Sequence, residues 1–246
     1  MTLIPNWLHR LASPPIFYRW AGRLMPWLAV ASLGLLGYGL VGGLALAPPD
    51  YQQGEAFRII YVHVPAAWMS LFTYSVMAGA AVITLIWRIK LAECVLTSCA
   101  PIGASFTALA LVTGMLWGKP MWGTYWTWDA RLTSELILLF LYLGISGLQQ
   151  AISDPRAAAR ACALLAVVGV ANVVIVHYSV IWWNTLHQGP TLTKFDKPSI
   201  DASMLWPLLS MALGFMTFFG YVLFQRAQNE LLWRERGNPW VKEVGA

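Results

Sequence analysis

Two histidines, His63 in YVHVPAAW and His187 in WWNTLHQG, are the residues best suited to hold a metal, and a tryptophan-rich stretch is best suited to hold something flat. That stretch, Trp117–Thr133 (WGKPMWGTYWTWDARLT), packs Trp117, Trp122, Trp126, Trp128, Tyr125, the single acid Asp129 and the bases Lys119 and Arg131 into seventeen residues. Aromatic faces with nearby cations suit a planar ligand that is apolar on its faces and anionic at an edge. Imidazole is the commonest axial ligand of haem iron, and two imidazoles can hold a six-coordinate haem. Haem also carries two propionates, for which Arg58, Lys119 and Arg131 are candidate partners. Zinc is a poorer match, because no outer cysteine and no HExxH spacing accompany the histidines. Each feature also has a plainer reading. A tryptophan cluster between membrane spans can be an interfacial belt, and a lone histidine near a membrane surface is commonly a hydrogen-bonding group.

These residues must be positioned by membrane-spanning elements. The chain has 246 residues, 58% of them hydrophobic and 11% charged, with a mean hydropathy of +0.59. Soluble domains carry about 25% charged residues, so most side chains here do not face water. Apolar runs of about 20 residues, enough to cross a bilayer as helix, recur at roughly Leu24–Leu46, Val62–Trp87, Val95–Trp117, Leu132–Ala151, Ala161–Trp182 and Met204–Phe224. Continuous rather than alternating hydrophobicity argues for helices over barrel strands. The expected fold is all-α: a single polytopic six-helix membrane domain over residues 1–246, with no separate soluble domain. The first apolar run begins too far in, and is too long, for a signal peptide.

Charge placement orients the domain. Eleven of the sixteen lysines and arginines, Arg10 among them, fall on one side, which predicts cytoplasmic N- and C-termini. Arg58, Lys119, Arg131, Lys194 and Lys197 fall on the other. The outer loops are then about 47–61, 117–131 and 183–203, and this puts His63 and His187 on the same side as the tryptophans. The net charge of +5 follows from this topology and gives no reason to expect nucleic acid. Within the second outer loop, Pro120 can open a short amphipathic helix lying on the membrane surface, with Trp122, Trp126 and Asp129 on one face. Asp129 then needs a partner, since Arg131 two positions on would point elsewhere.

His177, inside the fifth span, is expected to face the bundle interior in a structural role. His9 belongs to the basic tail as a solvated side chain. Glu135 has no second intramembrane acid to make a proton relay. Cys94, Cys99 and Cys162 form no CxxC or CxxCH motif and read as free, packed thiols. No phosphate loop occurs, so any ATP-driven step belongs to another subunit. No internal repeat suggests an inverted-repeat transporter.

The motif WGxxWxWD at Trp122–Asp129, with the flanking WGKP and RLTSEL, resembles the tryptophan-rich signature of haem-handling proteins in cytochrome c maturation. YQQGEAFRIIYVHVPAAW (Tyr51–Trp68) and HYSVIWWNTLHQG (His177–Gly189) extend the match to the haem exporter protein C family (CcmC) over essentially the whole chain. The resemblance implies a bacterial inner-membrane protein that binds haem b transiently at its periplasmic face. It implies that His63 and His187 are the axial iron ligands, and that Trp117, Trp122, Trp126, Trp128 and Asp129 form the surrounding surface, with Arg58 and Arg131 as propionate partners. It further implies delivery to a haem chaperone (CcmE), alongside a small membrane subunit (CcmD), the ABC-type pair CcmA and CcmB, and membrane lipid. On this reading the chain is a transfer component and not itself an enzyme, although it can promote covalent attachment of haem to the chaperone. The alternatives are a b-type haem quinol oxidoreductase, in which His177 would matter more, and a small-molecule transporter using the loop as a belt.

Overall fold

A computed structural model describes residues 13–187 and 200–244. His9, Arg10, Lys194, Lys197 and most of the expected third outer loop lie outside the described residues. Every long element is helical. We number them α1 Pro14–Val41, α2 Ile60–Trp87, α3 Lys90–Trp122, α4 Ala130–Ala151, α5 Pro155–Val168, α6 Val170–Trp182, α7 Ala202–Arg234 and the short α8 Pro239–Val244. A π-helical turn, Gly42–Leu46, extends α1, a 3-10 turn, Glu55–Ile59, leads into α2, and α5 and α6 are halves of one span meeting at Gly169. Six segments are long and apolar enough to cross a membrane: Pro14–Leu46, Glu55–Trp87, Lys90–Trp122, Ala130–Ala151, Pro155–Trp182 and Ala202–Arg234. The fold is thus six apolar helices, as the hydropathy predicts. The helices run past the apolar runs because aromatic and polar ends still find packing, as where Phe17 and Trp20 meet Phe224 edge-on.

Local chemistry sets the ends. Pro14 and Pro155 occupy first-turn positions, where a missing N–H costs nothing. Asp129, Asp154 and Asp201 each accept a backbone N–H at the start of α4, α5 and α7. Gly123 closes α3 at φ 77°, a left-handed conformation that glycine adopts without a Cβ clash.

α2 and α3 form the centre. Tyr61, Tyr74, Met77, Leu96 and Tyr142 are fully buried there. Small residues allow the helices to approach closely, as expected where van der Waals packing drives association in lipid. At Gly103 a Cβ would stand 2.0 Å from Cζ of Tyr142, so the tyrosine ring lies directly against the α3 backbone. The Tyr142 hydroxyl donates to the Ser70 carbonyl at 2.7 Å, tying α4 to α2. α1 packs on α7 in the same way: Gly39 lies against Met211, Gly214 against Leu36, and Ser210 donates to the Leu35 carbonyl. The three cysteines are free and buried.

Six antiparallel crossings bring the described ends of α1 and α7 to one face. There Lys90 pairs with Glu235, and Arg234 reaches both Glu93 at 2.9 Å and Glu230 at 2.7 Å. The beginnings of α2 and α4 and the end of α3 meet on the opposite face, which carries the residues singled out above.

Two expectations fail. No short helix forms across the tryptophan-rich loop. Pro120 lies in the last turn of α3, Trp122 is its final residue, and Gly123–Asp129 is non-helical. The left-handed turn at Gly123 stops the helix, and Asp129 must stay extended (φ −83°, ψ 169°) to cap the next one. Trp122, Trp126 and Asp129 therefore share no helical face. His177, expected inside the bundle, is exposed on α6 with its ring edge-on to Tyr178 at 4.7 Å. The inward face of α6 is taken instead by Asn172, Val176 and Ser179.

Candidate functional site

His63 sits one turn into α2, and its position follows from α3. Its Nδ1 lies 3.0 Å from the carbonyl oxygen of Ala110 and 3.1 Å from the Thr113 hydroxyl. A carbonyl only accepts, so Nδ1 carries the hydrogen and Nε2 keeps its lone pair. Gly114 makes room for the ring: a Cβ there would meet Cε1 of His63 at 3.0 Å. Trp117, one turn further along α3, packs edge-on against the same imidazole at 5.6 Å and against Phe57 at 6.0 Å. Its indole N–H donates to Gln53 at 2.9 Å, which anchors the turn before α2.

His187 is held differently. It lies beyond the end of α6, on the segment 183–187, which is not helical. Its ring packs against Trp122 at 5.0 Å with the planes tilted by 59°. Gly118 lets the Trp122 ring fold back over α3, since a Cβ there would collide with the indole at 2.9 Å. The backbone N–H of His187 donates to the Thr185 hydroxyl at 3.1 Å, and that hydroxyl donates in turn to Oδ2 of Asp129. Nδ1 of His187 is buried 3.7 Å from Oδ2 of Asp129, too far for a hydrogen bond, and has no partner among the described residues. Each histidine is therefore backed by a tryptophan from the last two turns of α3.

Asp129 finds its partners here. Oδ1 accepts the Leu132 N–H at 2.8 Å as the cap of α4, and Oδ2 accepts from Thr185. Burial pushes its carboxyl up, but the neighbouring His187 ring, the Thr185 hydroxyl and the Leu132 N–H outweigh this and bring it down to about 2. Arg131 turns the other way, donating to the Val176 carbonyl at 2.6 Å and fixing the outer end of α6 against α4.

His63, His187, Arg131 and Glu135 line one cavity, together with Ala67, Ala110, Leu111, Gly114 and Leu132. Its volume is about 30 Å³, enough for about one water. Small-molecule pockets begin at about 300 Å³. Glu135 lies at the α2 side of this space, fully packed, with Oε1 2.7 Å from the Ser70 hydroxyl.

Of the remaining predicted residues, Arg58 is engaged with Glu55 and with the Gly43 carbonyl at 2.9 Å and does not line the cavity. Trp126 and Trp128 contact each other edge-on at 5.3 Å. Trp126 buries an indole N–H that has no partner among the described residues, while Trp128 is 77% exposed. Thr113, Thr185 and Ser70 are site residues that the sequence reading passed over. A buried threonine in an apolar run was the available signal for Thr113, and Thr185 stands only two residues before His187.

Two imidazoles lining one small cavity suit a metal held by both. Among the described residues no cluster of three or more His, Cys, Asp and Glu side chains is placed to hold a bare metal ion, and His63 and His187 are the two side chains at this cavity that would ligate a haem iron.

Comparison with known proteins gives the family. The family model described as heme exporter protein C matches residues 7–242. A heme exporter protein C from Haemophilus influenzae is 53% identical over 239 residues, covering 97% of each chain. The Escherichia coli K12 protein of that name is 51% identical over 96% of each chain, and the one from Bradyrhizobium diazoefficiens is 50% identical over 95% of this chain and 87% of its own.

Proposed function

The chain belongs to the heme exporter protein C family, a multi-pass membrane family of haem handling in cytochrome c biogenesis, and from that premise we propose that it presents haem at the periplasmic face of the bacterial inner membrane. We assign the iron to His63 and His187, and delivery to the haem chaperone CcmE, in a complex with CcmD and the ABC-type pair CcmA and CcmB. The observation that carries this reading is the convergence of His63 and His187 on one cavity, each packed against its own tryptophan.

The two ligands have unequal roles. His63 is pinned within α2 by the Ala110 carbonyl, with Nε2 free for iron. His187 stands outside any helix, so it is the side that withdraws to admit a macrocycle much larger than the present cavity. Asp129 lies 3.7 Å behind it, and a shift of under about 1 Å would let Oδ2 take a hydrogen bond from Nδ1 and raise the basicity of the other ring nitrogen. Trp117 and Trp122 offer faces to the ring system, and the exposed Trp128 and Tyr125 lie outward, where a partner can reach them. Arg131, at the cavity, is the nearer propionate partner, and Arg58 needs release from Glu55 to serve as one. The haem is b-type and held transiently, so this chain acts as a transfer component and not as an enzyme.

The test is spectroscopic. Protein purified from membranes in mild detergent should carry haem with a six-coordinate spectrum, and should co-purify with CcmE. His63→Ala and His187→Ala should each lose that spectrum while remaining monodisperse. Unchanged six-coordinate bands in both variants would remove the ligand assignment.

A further inference from the structure

A second cavity lies at the other end of the molecule, on the face that carries the start of α1 and the end of α7. Its volume is about 310 Å³, and it is lined from three spans: Thr97, Ser98 and Pro101 of α3, Ser146, Gln149 and Gln150 of α4, and Arg226, Asn229 and Glu230 of α7. Eight of its nine lining residues are polar, although it opens within helices long and apolar enough to cross a membrane. A polar cleft among such helices costs free energy unless it is wet or filled.

Its charges do not cancel locally. Glu230 is held by Arg234 at 2.7 Å, and that guanidinium is also bound to Glu93. Among the described residues no carboxylate pairs with Arg226, which is exposed at the cleft. Ser98 is only 4% exposed and lines the same cleft from α3. Pro101 has no N–H, so the carbonyl of Thr97 four residues earlier lacks its helical donor at the cleft wall. The cleft thus offers a guanidinium and a buried hydroxyl to an anion, and beside them a carbonyl acceptor for a donor group.

We propose that this cleft binds the headgroup of a membrane phospholipid, with the phosphate on Arg226 and Ser98 and a headgroup hydroxyl or ammonium donating toward the Thr97 carbonyl. Guanidinium pairs well with phosphate through charge-assisted hydrogen bonds. A cation among apolar spans near the headgroup level finds phosphate there without leaving the protein. The lipid fills the polar gap between α3, α4 and α7, and so braces the helix that carries Trp117 and Trp122 at its far end.

The experiment is native mass spectrometry of the full chain in detergent, titrated separately with phosphatylglycerol-type and phosphatidylethanolamine lipids. The wild type should retain one lipid tightly. Arg226→Gln should weaken that retention about tenfold, the loss of one charge-assisted hydrogen bond, with Arg226→Lys intermediate and Ser98→Ala weaker than wild type. Arg156→Gln, which removes an exposed cation outside the cleft, should bind as wild type. Monodispersity and an unchanged melting temperature exclude misfolding. Equal retention by Arg226→Gln and wild type, or an equal loss in Arg156→Gln, would overturn the site. Displacement of the lipid by excess inorganic phosphate would reassign the cleft to a soluble anion and overturn the lipid assignment.

Discussion

Nδ1 of His63 lies 3.0 Å from the carbonyl oxygen of Ala110, a group that can only accept. The bond fixes both the tautomer and the ring orientation, and it leaves Nε2 with a free lone pair. His63→Ala should therefore lose bound haem, and added imidazole should restore the six-coordinate absorption band. Thr113→Val keeps the Ala110 carbonyl and should retain haem with only a modest loss. An equal loss in both variants would show that orienting the ring, and not ligation, is what His63 supplies.

Asp129 joins two tasks, capping α4 and holding the Thr185–His187 segment. Asp129→Ala removes both and should cost about 1 kcal/mol of stability from the cap alone. Asp129→Asn keeps an acceptor for the Leu132 N–H and should melt above Asp129→Ala though below wild type, and should hold haem less well because the charge behind His187 is gone. Thermal melts and haem titrations on the two variants separate the tasks. Matching haem affinity in Asp129→Asn and wild type would leave Asp129 as a cap alone.

The acid limit follows from the same carboxylate. Its folded pKa, about 2, lies below the ordinary aspartate value of about 3.9. The group therefore contributes stability in full above the ordinary value, and that contribution fades as pH falls from about 4 toward 2. Tryptophan fluorescence of the loop should stay constant down to that window and change within it, and Asp129→Asn should lack the transition.

Gly103→Ala should be among the most damaging single methyl additions. The new Cβ would stand 2.0 Å from Cζ of Tyr142, in a core with no free direction. Overpacking of this kind costs about 1–3 kcal/mol. The melting temperature should fall sharply, and Tyr142→Leu in the same chain should recover part of it. Gly79→Ala, where the added methyl meets nothing within 4 Å, is the control.

The six spans were legible because runs of about 20 apolar residues have few other uses. The shared face of His63, His187 and the tryptophans was legible because an odd number of crossings separates it from the basic ends. The course of the tryptophan-rich loop was not. Pro120 reads equally well as a helix opening or as a tolerated residue in a last turn, and only the left-handed Gly123 decides. Asp129 looked like a misplaced acid because its Thr185 partner lies 56 residues away. The facing of His177 was illegible because α6 is apolar nearly all round, so periodicity marks no inner side. The polar cleft was invisible for a related reason: Ser98, Gln149 and Asn229 are isolated polar residues in three separate runs, and only the fold brings them together.

α3 runs unbroken for 33 residues, about 50 Å at 1.5 Å per residue. Between Glu93 and Lys119 it carries no charged side chain. That uncharged stretch is about 38 Å long, against about 30 Å of bilayer hydrocarbon. With Glu93 tied to Arg234 near one end, the helix is long enough to act as a mast that carries Trp117 and Trp122 a full hydrocarbon thickness away. On the proposed function, cargo resting against them would stand at the water's edge, where a ligand from the membrane and an acceptor from solution can meet the same surface without either crossing the other's phase.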